Sequence, residues 1–197
     1  EQAALYQATL DKAMEEISGL EQSMQRRGKI LALITALKQI CNHPSQYLDD
    51  ANPDASRSGK LYRFLELFRD VRSEGGQALI FTQYRVMGEM LAEALTKQTG
   101  RTIPFLHGGV SRSGREAFVQ SFQSVNGPPA MVISLRAGGT GLNLTRANHI
   151  FHYDRWWNPA VEDQATDRAY RIGQTRDVTV HQLVTQGTIE EQVHQIL

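Results

Sequence analysis

Hydrophobic and polar positions change rhythm along this chain. Over roughly the first forty residues, Leu5, Leu10, Met14, Ile17 and Met24 stand apolar at helical intervals with charges between them, and a second such run covers 30–40. No strand signal interrupts them. Pro44 and the stretch Asp49-Asp50-Ala51-Asn52-Pro53-Asp54 then read as a turn-rich linker. Ser58 is a good N-cap for a helix carrying Leu61, Phe64, Leu65 and Phe68. This places a boundary between 50 and 57, with a helical segment and linker over 1–55 and a second domain over 56–197. From there strand and helix signals alternate. Strands are predicted at 77–81, 102–106, 130–135, 149–153 and 178–184, helices at 86–97, 112–122 and 159–171, and a helical tail from 188. Ala78-Leu79-Ile80-Phe81 and Met131-Val132-Ile133 are continuously apolar, as strands covered on both faces must be. The alternation predicts an α/β fold of three layers around a mostly parallel sheet, with right-handed crossovers.

Composition narrows the function classes. The 21 basic and 21 acidic residues cancel, so any site for a polyanion has to be a local patch and not a global field. A single cysteine, Cys41, excludes an internal disulfide and suits a reducing compartment. No apolar run approaches the roughly 20 residues needed to span a bilayer, and no secretory signal pattern opens the chain, so a soluble protein without a membrane partner is expected. The first residue is not methionine and lies inside a helical pattern, which reads as an excised fragment.

In open parallel sheets a ligand lies beyond the carboxyl ends of the strands, so the loops after Phe81, Leu106, Leu135 and Tyr153 carry the chemistry. After Leu135 comes Arg136-Ala137-Gly138-Gly139-Thr140-Gly141, whose glycines let backbone amides approach an anion. By itself it is a weak signal, since a glycine cluster is more often just a tight turn, and it lacks the lysine of a phosphate-binding loop. Gly59-Lys60 fails that test as well, because no glycine stands at the required upstream position. After Leu106 comes His107-Gly108-Gly109-Val110-Ser111-Arg112, a turn into a helix N-terminus and so a candidate anion site, with a plain glycine turn as its bland reading. After Tyr153 comes Asp154-Arg155-Trp156-Trp157-Asn158-Pro159. Adjacent tryptophans cannot both face one core, so at least one is expected at a surface or cleft.

The densest signal is the segment from Asp163 to Gln174. On a helix, Gln164, Arg168 and Arg171 would form one polar stripe, and Val161, Ala165, Ala169 and Ile172 an apolar stripe about 90° away. Two arginines at the edge of a buried face suit a phosphate clamp; a solvated basic helix edge is the competing reading. Metal and hydrolytic chemistry find little support. His149 and His152 fall on opposite faces of a strand, Cys41 and His43 are too few for structural zinc, and no nucleophile elbow or close carboxylate pair stands out.

Taken together these motifs resemble the second motor lobe of Swi/Snf-type DNA translocases of helicase superfamily two. The resemblance runs through Lys38-Gln39-Ile40-Cys41-Asn42-His43-Pro44, Ser58-Gly59-Lys60, Leu79 to Tyr84, His107-Gly108-Gly109, Ser134 to Leu144, Asp154 to Pro159 and Gln164 to Gln174, most of 38–190. It implies a RecA-like helicase C-terminal domain. In such proteins two lobes clamp ATP with Mg2+, the first lobe supplying most of the binding site. The resemblance makes Arg168 and Arg171 arginine fingers, and it puts Gly138, Gly139 and Gln164 toward the nucleotide. His107, Gly108, Arg112, Ser134, Thr140, Arg155 and Trp156 would lie toward double-stranded DNA. Arg136 stands where lysine is common, which preserves charge. No Walker lysine and no Asp-Glu-x-His sequence occurs in the chain, so these residues alone are expected to hydrolyse little or no ATP. A non-catalytic DNA or protein docking module is the alternative, and an RNA helicase is disfavoured by the Trp-Trp-Asn-Pro and Arg-Ile-Gly-Gln forms. Action on nucleoprotein or polymerase would depend on accessory domains. The compact lobe points to a bacterial or archaeal source with a cytoplasmic, nucleoid-associated location; a eukaryotic one would place it in the nucleus.

Overall fold

The computed structural model describes residues 1–20, 24–134 and 142–196. Its elements are α1 (Gln2–Ser18), α2 (Met24–Asn42), α3 (Pro44–Leu48), a short 3-10 turn (Ala55–Arg57) and α4 (Gly59–Ser73), followed by β1 (Ala78–Thr82) and α5 (Arg85–Thr99). The chain continues with β2 (Phe105–Leu106), α6 (Arg112–Gln123), β3 (Ala130–Ser134), β4 (His149–His152), α7 (Pro159–Thr166), β5 (Thr179–Gln182) and α8 (Ile189–Ile196). The five strands form one sheet in the order β2-β3-β1-β4-β5, and every pairing is parallel.

Strand composition follows position in that order. Central β1 and β3 are buried throughout, which is why their sequences are unbroken apolar runs. Edge strand β5 is mostly exposed and carries Thr179, His181 and Gln182. Leu79, Phe81, Met131, Ile133 and Ile150 join Phe122 of α6 and Ala165 of α7 in one core cluster. Across the sheet, Phe64 of α4 meets Phe151 and Tyr153 edge to face, with ring centroids at 5.1 and 5.8 Å. Helix α5 approaches so closely that a Cβ on Gly88 would run into the Phe105 ring, so any larger residue there would have to displace that ring. The expected three-layer α/β architecture is therefore present.

The compact units do not follow the division expected at 55/56. One unit comprises 1–62 together with 184–196, and the other 63–183. In the first, Lys60 and Glu190 form a buried ion pair of 2.5 Å, and Lys60 also donates to Asn42 at 3.2 Å. Tyr6 accepts from the Ile189 amide at 3.0 Å, and Gln2 donates to the Ile40 carbonyl at 2.7 Å. The C-terminal helix thus belongs with the N-terminal helices by its bonding. Ser58 caps α4 as expected, accepting from the Leu61 amide at 3.1 Å.

Candidate functional site

The carboxyl edge of the sheet is fixed by Asp154. Its carboxylate accepts from the Thr82 hydroxyl and, at 3.0 Å, from the Gln83 amide, tying the loop after β4 to the loop after β1. Gln83 returns a bond to the Arg155 carbonyl at 2.8 Å. Arg155 itself points inward: its Nε donates to Glu162 of α7 at 2.7 Å, and both side chains are only 4% exposed. Glu162 also accepts from the Trp156 amide at 3.2 Å and from Gln182 at 2.9 Å. The guanidinium expected on a DNA-tracking surface is buried here, because a carboxylate in the first turn of α7 holds it.

The paired tryptophans separate as side-chain alternation requires. Trp157 is 48% exposed, whereas Trp156 is half-buried with an indole N–H that meets no acceptor among the described residues. The exposed ring is thus the second of the two, not Trp156. In the loop after β2, His107 accepts from the Gly109 amide at 3.1 Å and packs against Phe105. Ser111 caps α6 by accepting from Gly114, and exposed Arg112 pairs with Glu116 at 3.3 Å. Gly108 is exposed and Ser134 is buried at the end of β3. Gly138, Gly139 and Thr140 lie outside the described residues.

Helix α7 is shorter than predicted. It ends at Thr166, where the Asp167 amide closes on the Ala165 and Asp163 carbonyls, and the chain continues in turns. Two non-local groups organise these turns. The Leu144 amide donates to the Arg168 carbonyl at 3.0 Å, and the Gln174 side chain donates to the carbonyls of Thr145, Ala147 and Ala169 at 2.9, 2.8 and 3.1 Å. The continuous stripe of Gln164, Arg168 and Arg171 is therefore broken. Arg168 is 5% exposed, and burial, with the charge of Arg171 adding, holds its guanidinium below the ordinary arginine pKa against the opposing pull of Asp167. Gln164 and Arg171 are exposed. The Nε of Arg171 donates to the Asp167 carbonyl at 3.0 Å, which anchors the side chain at its stem and leaves its terminal nitrogens without a partner among the described residues. Ile172, placed on the apolar stripe by helical spacing, is 100% exposed because the helix has already ended.

Arg171, Tyr170, Ile172, Asn143 and Gln174 line an open cleft of about 890 Å³. A fixed stem and open donors fit a phosphate, whose oxygens accept the planar fork in two places. Among the described residues no group of three His, Cys, Asp or Glu is arranged to hold a metal ion. Sequence reasoning missed the anchoring roles of Glu162 and Asp154, since their partners lie on other elements. It also missed that His149 pairs with His181 across β4 and β5, Nδ1 to Nε2 at 3.0 Å.

A parallel sheet with its functional loops at one edge and an anchored arginine in an adjoining cleft defines a RecA-like lobe. The chain belongs to the family of the helicase conserved C-terminal domain, whose model matches residues 59–173, and it is the C-terminal lobe of the SWI2/SNF2 type. It is 40% identical to the Sulfolobus solfataricus SWI2/SNF2 ATPase core in complex with dsDNA, with a TM-score of 0.87 over 98% of this chain and 40% of that one. The C-terminal domain of the same archaeal ATPase matches at 36% identity and a TM-score of 0.83, over 99% of this chain and 78% of that domain. A Bacillus subtilis (strain 168) protein, YwqA, named as an ATP-dependent helicase/translocase, is 49% identical over the whole of this chain and 21% of its own length. The chain thus spans about a fifth of that relative.

Proposed function

We propose that this chain is the second motor lobe of an ATP-dependent translocase acting on double-stranded DNA, and that Arg171 is its arginine finger. The observation that carries the reading is the state of Arg171: exposed, held at its stem by the Asp167 carbonyl and, among the described residues, open at its terminal nitrogens. A permanently charged, planar donor is what stabilises the charge that spreads over a transferring phosphoryl group. Arg168, buried behind it, raises the local positive potential and supports the turn through its carbonyl. Tyr170 and Ile172, 68% and 100% exposed on either side of Arg171, would pack on the first lobe when the cleft closes. ATP and Mg2+ would be held mainly by that lobe, with Gln164, Gly138 and Gly139 contributing from this one. This chain alone would turn over little or no ATP.

His107, Gly108 and Arg112 at the start of α6, with Trp157 beside the Asn158 cap of α7, would contact the DNA backbone. Ser134 and Thr140 would contribute from the end of β3 and the loop after it, while Arg155 and Trp156 would set the position of Trp157. Binding of this kind depends on salt and not on base sequence. Titration of the chain with duplex DNA and duplex RNA over a range of salt tests it. Duplex DNA binding that weakens with salt and weakens again in Arg112→Ala supports the reading; preference for RNA contradicts it.

A further inference from the structure

The amino edge of the sheet gathers four arginines, of which Arg72, Arg101 and Arg146 are not used by the motor reading while Arg176 also lines the cleft of Arg171. Arg72 ends α4, Arg101 follows α5, Arg146 precedes β4 and Arg176 precedes β5. Arg101 donates to the carbonyls of Gly127 and Asn126 at 2.8 and 2.6 Å, and Arg146 to those of Phe122 and Pro128 at 2.8 and 2.9 Å. Arg146 also lies over the Phe122 ring, 5.6 Å from its centroid. Arg176 donates to Gln77 at 2.7 Å and to the Arg146 carbonyl. Every one of these acceptors is neutral.

Among the described residues none of the four arginines is paired with a carboxylate. Glu74, although two positions from Arg72, makes no ion pair with it. No carboxylate among the described residues thus stands within ion-pair distance of these four guanidinium groups, although Glu74 acts on the same edge through His149. Burial and the repulsion of Arg176 and Arg101 push the Arg146 guanidinium below its ordinary pKa, which an anion at this edge would reverse. Binding a turn to the sheet needs donors but not charge, so the structural role leaves the accumulated charge unexplained.

Arg72, Arg101 and Arg146 line one open cavity of about 430 Å³ together with Gln77, Pro129 and Val125, the last 92% exposed. The mixture selects the anion. A duplex backbone is a broad array of phosphates with no apolar partner for Val125, so an exposed valine among the arginines favours a polypeptide over DNA. Carboxylates next to an aliphatic side chain match this lining, since the Arg72 guanidinium, which makes no hydrogen bond among the described residues, can take a carboxylate in two places, Arg101 adds positive charge, and Val125 offers apolar contact.

We propose that this arginine pocket at the amino edge of the sheet binds an acidic polypeptide segment, its carboxylates on Arg72 and Arg101 and an apolar side chain against Val125. The surface is separate from the loops at the carboxyl edge that the motor reading assigns to DNA. An acidic segment of a partner protein would thus attach while those loops are occupied.

Fluorescence anisotropy of a labelled peptide of repeated Glu-Glu-Leu, titrated with the full chain, tests this without ATP or DNA. Its Gln-Gln-Leu counterpart controls for charge. Arg72→Glu and Val125→Asp are informative variants because both side chains are exposed and neither makes a hydrogen bond the fold needs. The acidic peptide is expected to bind, with affinity reduced about tenfold or more in Arg72→Glu, the loss of one charge-assisted contact. Val125→Asp is expected to weaken binding as well, whereas Arg69→Glu, outside the pocket on the same helix, leaves it unchanged. Equal binding of the neutral peptide, or indifference to Arg72→Glu, overturns the proposal. A loss of duplex DNA affinity in Arg72→Glu without loss of peptide binding makes the pocket a nucleic-acid contact instead.

Discussion

Arg155 and Glu162 meet at 2.7 Å with both side chains almost wholly buried, so the loop after β4 is clamped to the first turns of α7 by charge. A buried pair is more costly to break than it is to replace, because removing one partner leaves the other charged and desolvated. Glu162→Gln is therefore expected to destabilise the lobe by about 3 kcal/mol or more, and Arg155→Lys to rescue little, since an ammonium cannot reproduce the guanidinium geometry. Urea unfolding read by near-UV circular dichroism checks this. An Arg155→Ala variant that keeps wild-type stability and loses only DNA affinity would return Arg155 to the tracking surface.

Histidine burial gives the chain a pH dependence. His152 is buried against Phe81 with Nε2 on Thr166 at 3.1 Å, and burial lowers its pKa; the joined pair His149 and His181 is lowered for the same main reason. In each case the unfolded chain takes up a proton near pH 6.5, before the folded state does. Stability is therefore full above about pH 6.5 and declines as pH falls below it toward the folded values. The lowered carboxyl pKa values of Asp50 and Asp54, held down by Arg57 and Ser56 respectively, add their own loss only in the more acidic range. Thermal melts from about pH 7.5 to about pH 5.5 should show a falling midpoint, and His149→Gln should flatten it. A midpoint constant across that interval contradicts the assignment.

Cys41 is buried beside Glu190 and its thiol is pushed up to about 11, chiefly by burial. The thiolate is the reactive form, so the native protein should resist an aromatic disulfide reagent near neutral pH and release one equivalent once denatured. Rapid labelling of the folded chain would show that the α2 and α8 packing around Cys41 opens readily.

Features with local causes were legible in the sequence. The apolar runs of β1 and β3 announced covered strands, and Ser58 announced the start of α4, because each depends on neighbouring residues alone. The end of α7 did not show, since the carbonyls gathered by Gln174 come from Thr145 and Ala147, 29 and 27 positions away. The bond between Lys60 and Glu190 spans 130 positions, so the tail read as part of the second domain. The burial of Arg155 was hidden for a related reason: an arginine in an exposed-looking loop gives no sign that a carboxylate seven positions on will bury it. The motif residues marked the segments now proposed as the site, while their exposure depended on partners that spacing cannot identify.

The role of Arg171 is decided by ATP turnover in a protein carrying both lobes, with and without duplex DNA. The comparison is wild type against Arg171→Ala, an exposed substitution expected to change stability by no more than about 0.5 kcal/mol. An arginine finger predicts DNA-stimulated turnover that falls about 10³-fold or more in the variant while DNA binding persists. Turnover in Arg171→Ala close to that of wild type would contradict it.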